Sequence, residues 1–216
     1  SYGKQIGFST DLAAGGHLIL LSDALNLSSI SFGTPIDNTW LAKGRKFRDF
    51  SQRKYWKKWK TRFNSVGLDL EFPINHISEA GAMKICERSG IIDKINSCLR
   101  GNGGVACMAC WKCFIKNGPL GRDIIFESKE IQKFLTSTPL RTAQHTLWAI
   151  QKQKLESKVP HLSKFLSEPL EWWEDYYPPG LNLISEGLRP NIETQTRKYL
   201  QPMTNPIPLE SVDIKL

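Results

Sequence analysis

The spacing of apolar residues separates segments with helical periodicity from short alternating segments. Leu18, Leu21 and Leu25 recur at i, i+3 and i+7 and predict a helix over residues 9–27. Three polar residues could cap its first turn: Ser9, Thr10 and Asp11. The adjacent Gly15 and Gly16 weaken this helix and indicate close packing or a nearby ligand.

Two short β-rich runs and a second helix follow. Residues 28–33 predict a buried strand that ends at Gly33, and residues 68–74 alternate until Pro73 interrupts them. A helix is predicted over residues 78–90, capped by Ser78 and closed near Gly90. Strands alternating with helices predict an α/β fold with a partial parallel sheet of two or three strands.

The remainder of the chain is predicted to be mainly helical and rich in proline. Residues 128–137 and 140–156 have helical patterns, and prolines recur from Pro160 onward, where they interrupt regular structure. We therefore predict an α/β domain over residues 1–120 and an extension over residues 121–216. The extension is a candidate surface for a protein partner, with the aromatic segment "EWWEDYYPPG" packing or docking.

Positive charge is concentrated in one segment. The 216 residues carry 29 basic and 21 acidic side chains, a net charge of +8. Ten basic residues and a single acidic one, Asp49, lie between Lys43 and Arg62, so this segment alone carries +9. Such an excess suggests a polyanion as partner. Five of its cations are the candidate contacts: Lys54, Lys57, Lys58, Lys60 and Arg62.

An apolar stripe in the same segment leaves its role open. Trp56, Trp59, Phe63 and Val66 fall at i, i+3, i+7 and i+10. The segment could bind nucleic acid by phosphate contacts and stacking on Trp56 or Trp59. It could also dock on an acidic protein, or be a solvated helix whose tryptophans belong to the core. The placement of the aromatic residues on one face favours the last two alternatives.

The apolar runs do not predict a membrane protein. The longest, residues 18–21 and 124–126, are far too short to span a bilayer. No charged segment followed by an apolar one resembles a signal peptide. An apolar fraction of 40% and a charged fraction of 23% are typical of a globular protein. We therefore expect a cytoplasmic protein without a membrane partner.

Four of the five cysteines form the pattern C-x8-C-x2-C-x2-C: Cys98, Cys107, Cys110 and Cys113. Two overlapping C-x2-C turns bring three sulfurs near one centre, and Gly101, Gly103 and Gly104 let the chain fold the fourth one back. This pattern predicts a structural zinc site in the segment 97–116, which could contribute on the order of 10 kcal/mol to folding.

Other interpretations of the cysteines are weaker. A disulfide framework is disfavoured in a reducing compartment, and a redox pair needs only two cysteines. An iron–sulfur cluster uses similar spacings and stays open. Cys86, on the preceding helix beside Ile85, is interpreted as a buried core thiol.

The order of elements around the cysteines resembles a known enzyme family. A strand ending in Pro73, the helix "SEAGAMKICERSGI", the pair Ser97–Cys98 and the cysteine pattern are similar to the C-terminal half of 7-cyano-7-deazaguanine synthases. These are PP-loop ATP pyrophosphatases. The resemblance covers residues 6–116, and the cysteine spacing is its one highly specific part. It implies a PP-loop (HUP-like) parallel sheet with Gly33 and Asp37 near the nucleotide or base. Asp37 could equally be a turn-forming residue after Pro35.

The resemblance also implies ligase chemistry. In that family ATP adenylates a carboxylate, pyrophosphate leaves, and an amine or ammonia then gives an amide or nitrile. The family's Ser-Gly-Gly-x-Asp-Ser loop is absent from residues 1–216. ATP and magnesium would therefore need an N-terminal half or another subunit that carries the loop, with the backbone at Ser9–Asp11 helping to hold an anion.

Two departures from the family bear on the function. The family's usual substrate-binding stretch is replaced by the basic, tryptophan-rich segment, and Met108 stands where the family has glycine after the first cysteine of the paired turns. These departures favour a diverged member of the type found in bacterial anti-phage defence. The alternative is a non-catalytic, zinc-stabilised module that binds nucleic acid or a partner protein through its basic segment.

Overall fold

Helices predominate over strands in the computed structural model, which describes Leu12 and residues 15–95, 97–98 and 100–215. The α-helices are α1 (Gly16–Leu20), α2 (Lys54–Asn64), α3 (Glu79–Arg88), α4 (Trp111–Lys116), α5 (Lys129–Leu135), α6 (Ala143–Lys152) and α7 (Arg189–Arg197). The strands are β1 (Ser29–Ser31), β2 (Leu41–Ala42), β3 (Lys46–Phe47) and β4 (Asp69–Glu71). Short 3-10 helices lie at Phe50–Gln52, Ile92–Lys94, Gly118–Leu120, Glu156–Lys158, Pro160–Phe165, Glu171–Glu174, Pro178–Leu183 and Pro208–Ser211.

Two strands form a small parallel sheet. β1 pairs with β4 so that Ile30 lies beside Leu70, and both side chains are buried. The connection between them contains the antiparallel hairpin β2–β3 and then α2, which packs against β4. The architecture is therefore mixed α/β with a small parallel sheet, as predicted, and the rest of the described chain is mostly helical.

The first helix is much shorter than the sequence predicts. α1 covers only Gly16–Leu20, and turns follow it. Leu18 packs against the core, but Leu21 and Leu25 are 47% and 54% exposed, so the predicted apolar face gains little packing. A helix this short has little stability of its own without such packing. The predicted caps Ser9, Thr10 and Asp11 lie outside the described residues.

The Ser78 cap is confirmed, whereas the apolar stripe on α2 is only partly so. Ser78 Oγ accepts a hydrogen bond of 2.9 Å from the Gly81 N–H at the start of α3. On α2, Trp56 and Phe63 are buried in the core. The prediction for Val66 is wrong, because α2 ends at Asn64 and Val66 is 65% exposed.

One hydrophobic cluster joins the two predicted parts of the chain. It contains Ile36 and Phe114 together with Leu140, Ile150 and Trp173, all of them buried. Helices α4 and α6 also pack directly on each other. The segment after residue 120 therefore contributes to the same core as the sheet and the cysteine segment.

A buried carboxylate ties α3 to α6. Glu174 is paired with Lys84 on α3 at 3.1 Å and with Lys152 on α6 at 2.7 Å, and it accepts a hydrogen bond from Trp148 Nε1. Burial would raise the pKa of Glu174, but the hydrogen bonds and charges of the two lysines lower it below its usual value. This part of the "EWWEDYYPPG" segment therefore serves packing within the chain.

A neutral histidine connects α6 to α4. His145 Nε2 lies 3.1 Å from the Ile115 carbonyl, and Nδ1 accepts a 3.2 Å hydrogen bond from Trp173 Nε1. This pattern requires one donor and one acceptor on the ring, so the proton is assigned to Nε2. Burial lowers the pKa of His145 to about 4, which keeps the ring neutral at physiological pH.

None of the described helices combines the length and the apolar character needed to cross a bilayer.

Candidate metal centre and adjoining cavity

The four cysteines of the C-x8-C-x2-C-x2-C pattern meet at one point. The Sγ atoms of Cys98, Cys107, Cys110 and Cys113 all lie within 4.8 Å of one another. The Cys110–Cys113 pair is 3.6 Å apart, Cys107–Cys113 is 3.9 Å, and Cys98–Cys110 is 4.0 Å. The predicted cysteine cluster is therefore confirmed.

These separations fit one metal ion with four thiolate ligands. A zinc–sulfur bond of about 2.3 Å in a tetrahedral site places neighbouring sulfurs about 3.8 Å apart. A disulfide would need sulfurs about 2.05 Å apart, and the cysteines are all free. The cluster could hold a metal ion such as zinc.

A tight glycine loop and the start of α4 position the sulfurs. Gly103 and Gly104 have φ of 58° and 80°, the left-handed region that glycine adopts readily, and Asn102 bridges Val105 across the turn. A Cβ atom added at Gly101 would collide with the carbonyl oxygen of Val105. The loop therefore requires glycine at its entry as well as at its tip.

The thiols differ in their surroundings. Cys98 Sγ accepts a 3.3 Å hydrogen bond from the Cys107 N–H, and this bond lowers the pKa of Cys98 to about 6. Burial raises the pKa of Cys113 to about 12. A bound dication would reverse this effect, because it stabilises the thiolate form.

A cavity of about 340 Å³ adjoins the cysteine segment at the carboxyl edge of the parallel strands. Gly33 follows β1 and Ile74 follows β4, so both line it from the strand ends. Glu79 and Met83 of α3 and Lys116 of α4 form further walls. The remaining lining residues are Pro35, Asn38, Ala82, Cys86, Ile92, Ile95, Ser97, Asn117, Leu120 and Arg122.

Charged groups in the cavity wall are held by partners. Lys116 Nζ lies 3.1 Å from a Glu79 oxygen, and both side chains are about 30% exposed. Arg122 donates to Asn117 Oδ1 at 2.8 Å and is paired with Asp93 at 3.2 Å. The cavity thus presents an ion pair and a fixed guanidinium next to the apolar surfaces of Ala82 and Met83.

Gly33 lies in this cavity, whereas Asp37 does not. Asp37 is 6% exposed, and its Oδ2 accepts a 2.9 Å hydrogen bond from the Glu79 N–H at the start of α3. Burial, and then the charge of Glu79, raise the pKa of Asp37 to about 7. Its position supports the start of α3, and it faces a different cleft, formed with the β2–β3 hairpin. Ser9, Thr10 and Asp11 lie outside the described residues.

A known protein family matches most of the chain. The model of DUF6395, a family of unknown function, matches residues 58–206, about two thirds of the 216 residues. The chain belongs to this family. Neither a curated protein nor a solved structure matches it.

The DUF6395 segment contains the four clustered cysteines and most of the charged cavity wall. Glu79, Lys116 and Arg122 lie inside it, and Gly33 lies before it. Sequence reasoning missed these three charged residues as candidate site residues. A usable signal existed for Lys116, because it lies three residues after Cys113 on the same helix, one turn from the sulfur cluster.

Cys86 is not the buried core thiol that the sequence predicts. It is half-buried and lines the cavity from α3. Met83 and Cys86 are three residues apart on α3, so they lie on the same face of the helix, and this face lines the cavity. Burial raises the pKa of Cys86, so the thiol is protonated at neutral pH.

The five candidate polyanion contacts are all exposed. Two of them precede the DUF6395 segment and three lie within it. Lys54, Lys57, Lys58, Lys60 and Arg62 lie on the solvent side of α2. Among the described residues, no carboxylate forms an ion pair with any of them. Trp56 is only 4% exposed and Trp59 is half-buried. A nucleic-acid base could stack on Trp56 only if this side chain left the core. The burial of Trp56 therefore favours the alternative of a solvated helix with core tryptophans.

We expect Gly101→Ala to weaken metal binding by the cysteine cluster. The added methyl group displaces the Val105 backbone and with it the loop that returns to Cys107. A loss of about 10-fold to 100-fold in zinc affinity is expected, the range typical of groups that support metal ligands. Competition with a chromophoric chelator measures it. Gly187→Ala is the matched control, since a Cβ there meets nothing within 4 Å; equal affinity in the two variants would contradict the assignment.

We expect Asp37→Asn to stabilise the protein increasingly as the pH rises toward 7. In the unfolded chain this carboxyl ionises near pH 4, whereas in the folded chain it keeps its proton up to about pH 7. The wild type therefore loses stability across this window, with a limiting slope of about 1.4 kcal/mol per pH unit. The asparagine keeps an acceptor for the Glu79 N–H without that loss.

Urea unfolding between about pH 5.5 and pH 8 measures the difference in unfolding free energy between variant and wild type. Asp23→Asn serves as the control, because it removes a carboxylate from an exposed position. The same pH dependence in both variants would show that the burial of Asp37 is not its source.

Proposed function

We propose that this chain is the C-terminal part of an ATP-dependent, synthase-like enzyme that adenylates a carboxylate and converts it to an amide or nitrile. The substrate is a deazaguanine-type base or a related acceptor, and the enzyme is a diverged, defence-associated relative of the 7-cyano-7-deazaguanine synthases. The cavity at the carboxyl edge of β1 and β4 carries the proposal. In open α/β sheets ligands bind at that edge.

The groups in the cavity suit an aromatic carboxylate. Lys116 and Arg122 provide cations that can pair with the carboxylate oxygens, and Ala82 and Met83 provide an apolar wall for a ring. In the reaction a carboxylate oxygen attacks the α-phosphorus of ATP and pyrophosphate leaves. A nitrogen nucleophile then attacks the acyl carbon and AMP leaves, which gives the amide. A nitrile additionally requires that the oxygen of a primary amide attack a second ATP, with loss of pyrophosphate and then of AMP.

The cysteine cluster has a structural part in this proposal. We assign zinc to Cys98, Cys107, Cys110 and Cys113, where it fixes α4 and hence the position of Lys116. Met108 has a φ of 53°, the left-handed region that glycine adopts readily, and the resembled family has glycine at this position. ATP and magnesium are held by an N-terminal half or a second subunit that carries the ATP loop.

We expect the full-length protein, with any subunit that supplies the ATP loop, to release pyrophosphate from ATP when a 7-carboxy-7-deazaguanine substrate is present. Lys116→Met should lower the rate about tenfold or more, because it removes a cation beside the reacting carboxylate. Lys133→Met is the control, since Lys133 is exposed and lies outside the cavity. A coupled assay for pyrophosphate measures both; no release with any deazaguanine-type or protein acceptor would reject the enzyme.

The second candidate is a zinc-stabilised binding module without catalysis. The observation that favours it is the exposed row of five cations on α2, which is available to the phosphates of a nucleic acid or to an acidic partner protein. Nucleic-acid binding should then weaken steeply with salt.

For this module we expect charge reversal at Lys57, Lys58 and Lys60 to abolish binding of single-stranded nucleic acid or of an acidic protein. Fluorescence anisotropy across a salt series measures the loss. Reversal of Lys129 and Lys133 on α5 is the control for overall charge. Unchanged binding after reversal on α2 would exclude the segment as the contact surface.

A further inference from the structure

A basic cleft of about 420 Å³ lies between the β2–β3 hairpin and the start of α6. Four cationic side chains line it: Lys43, Arg45, Arg48 and Arg141. Three come from the hairpin region and one from the loop before α6, almost one hundred residues further along the chain. The fold therefore brings Arg141 close to three cations that are distant from it in the sequence.

The cleft is built on fixed backbone. Lys43 and Gly44 form the hairpin turn with φ of 53° and 69°, and a Cβ at Gly44 would lie 2.8 Å from the Thr142 Cα. The Gly44 carbonyl accepts a 2.9 Å hydrogen bond from the Gln144 N–H in the first turn of α6. The hairpin is thus seated directly on the amino end of that helix.

The cations are held over an apolar floor. Leu41 and Leu140 are buried beneath the cleft. Arg48 is fixed by its donation to the carbonyl oxygens of Thr39 at 2.8 Å and Asn38 at 2.7 Å. Such anchoring reduces the ordering entropy that a ligand would otherwise have to overcome.

The charge in the cleft is unbalanced. Lys43 and Arg141 are exposed, and no carboxylate among the described residues lies within ion-pair distance of either. Asp37 is the one carboxyl in the lining, and its pKa of about 7 leaves it only partly ionised at neutral pH. Lys43 and Arg141 thus leave net positive charge in the cleft, which favours an anionic ligand.

We infer that this cleft binds the phosphate groups of a small ligand, such as pyrophosphate or a nucleotide. Guanidinium groups bind phosphate oxygens in pairs, and Lys43 adds a point charge at the rim. The volume lies in the range of small-molecule sites, about 300–1,000 Å³, and the concave shape fits a compact ligand better than an extended strand.

This inference is independent of the proposed function, because it concerns a separate cleft and a binding equilibrium. Isothermal titration of the full chain at near-physiological salt, with orthophosphate, pyrophosphate and ATP as probes, measures it. The order of their affinities shows whether one phosphate suffices or a nucleoside adds to binding. The double variant Lys43→Ala, Arg141→Ala tests the cleft, and Lys129→Ala, Lys133→Ala on α5 removes the same charge elsewhere.

The expected result is saturable binding at one site, weakened about tenfold or more in the cleft variant and changed less than about twofold in the α5 variant. Equal thermal unfolding midpoints show that both variants fold, and Arg141→Gln alone provides a milder test. No saturable binding of any probe overturns the inference, as does an equal loss in both variants. Binding of a single-stranded oligonucleotide that the cleft variant abolishes and that neither pyrophosphate nor ATP displaces also overturns it.

Discussion

The meeting of four cysteine sulfurs within 4.8 Å of one another is the constraint on which the cavity wall depends. Residues 100–105 are mostly exposed, so apolar burial contributes little to their conformation. Cys110 and Cys113 lie at the start of α4, and Lys116 and Asn117 follow one turn later. A metal ion bound there would contribute on the order of 10 kcal/mol, which is large compared with any single contact of this segment. Fixing the positions of the four sulfurs therefore also fixes the position of α4, whose Lys116 forms part of the cavity wall.

Features encoded within a few residues could be predicted from the sequence. The Ser78 cap, the two short strands and the cysteine cluster each depend on local spacing, and the structure contains all of them. The long first helix failed because periodicity describes a potential apolar face and not whether anything covers it. Leu25 shows this, since it lies on the predicted apolar face and is 54% exposed. Val66 failed for a related reason: the helix ends before reaching it.

The cavities could not be predicted, because each combines distant segments. The wall from Gly33 to Lys116 requires the parallel pairing of Ile30 with Leu70 and the packing of α3 and α4. Residues 43–62 form one basic segment in the sequence, whereas in the fold their cations are divided between the basic cleft and the exposed face of α2. The pair Lys43–Gly44 was an available signal, since its left-handed turn closes the β2–β3 hairpin.

The turn between Pro35 and Thr39 separates the two cavities and is held by an acidic side chain on one side and a basic one on the other. Asn38 lines both of them. On one side Asp37 accepts a hydrogen bond from the amino end of α3, and on the other Arg48 donates to the carbonyls of Asn38 and Thr39. Burial fixes this turn as well, because Ile36 is fully buried. The ionisable Asp37 is therefore held where α3, the turn and the basic cleft meet, so its protonation alters the charge of the cleft without requiring movement of the core.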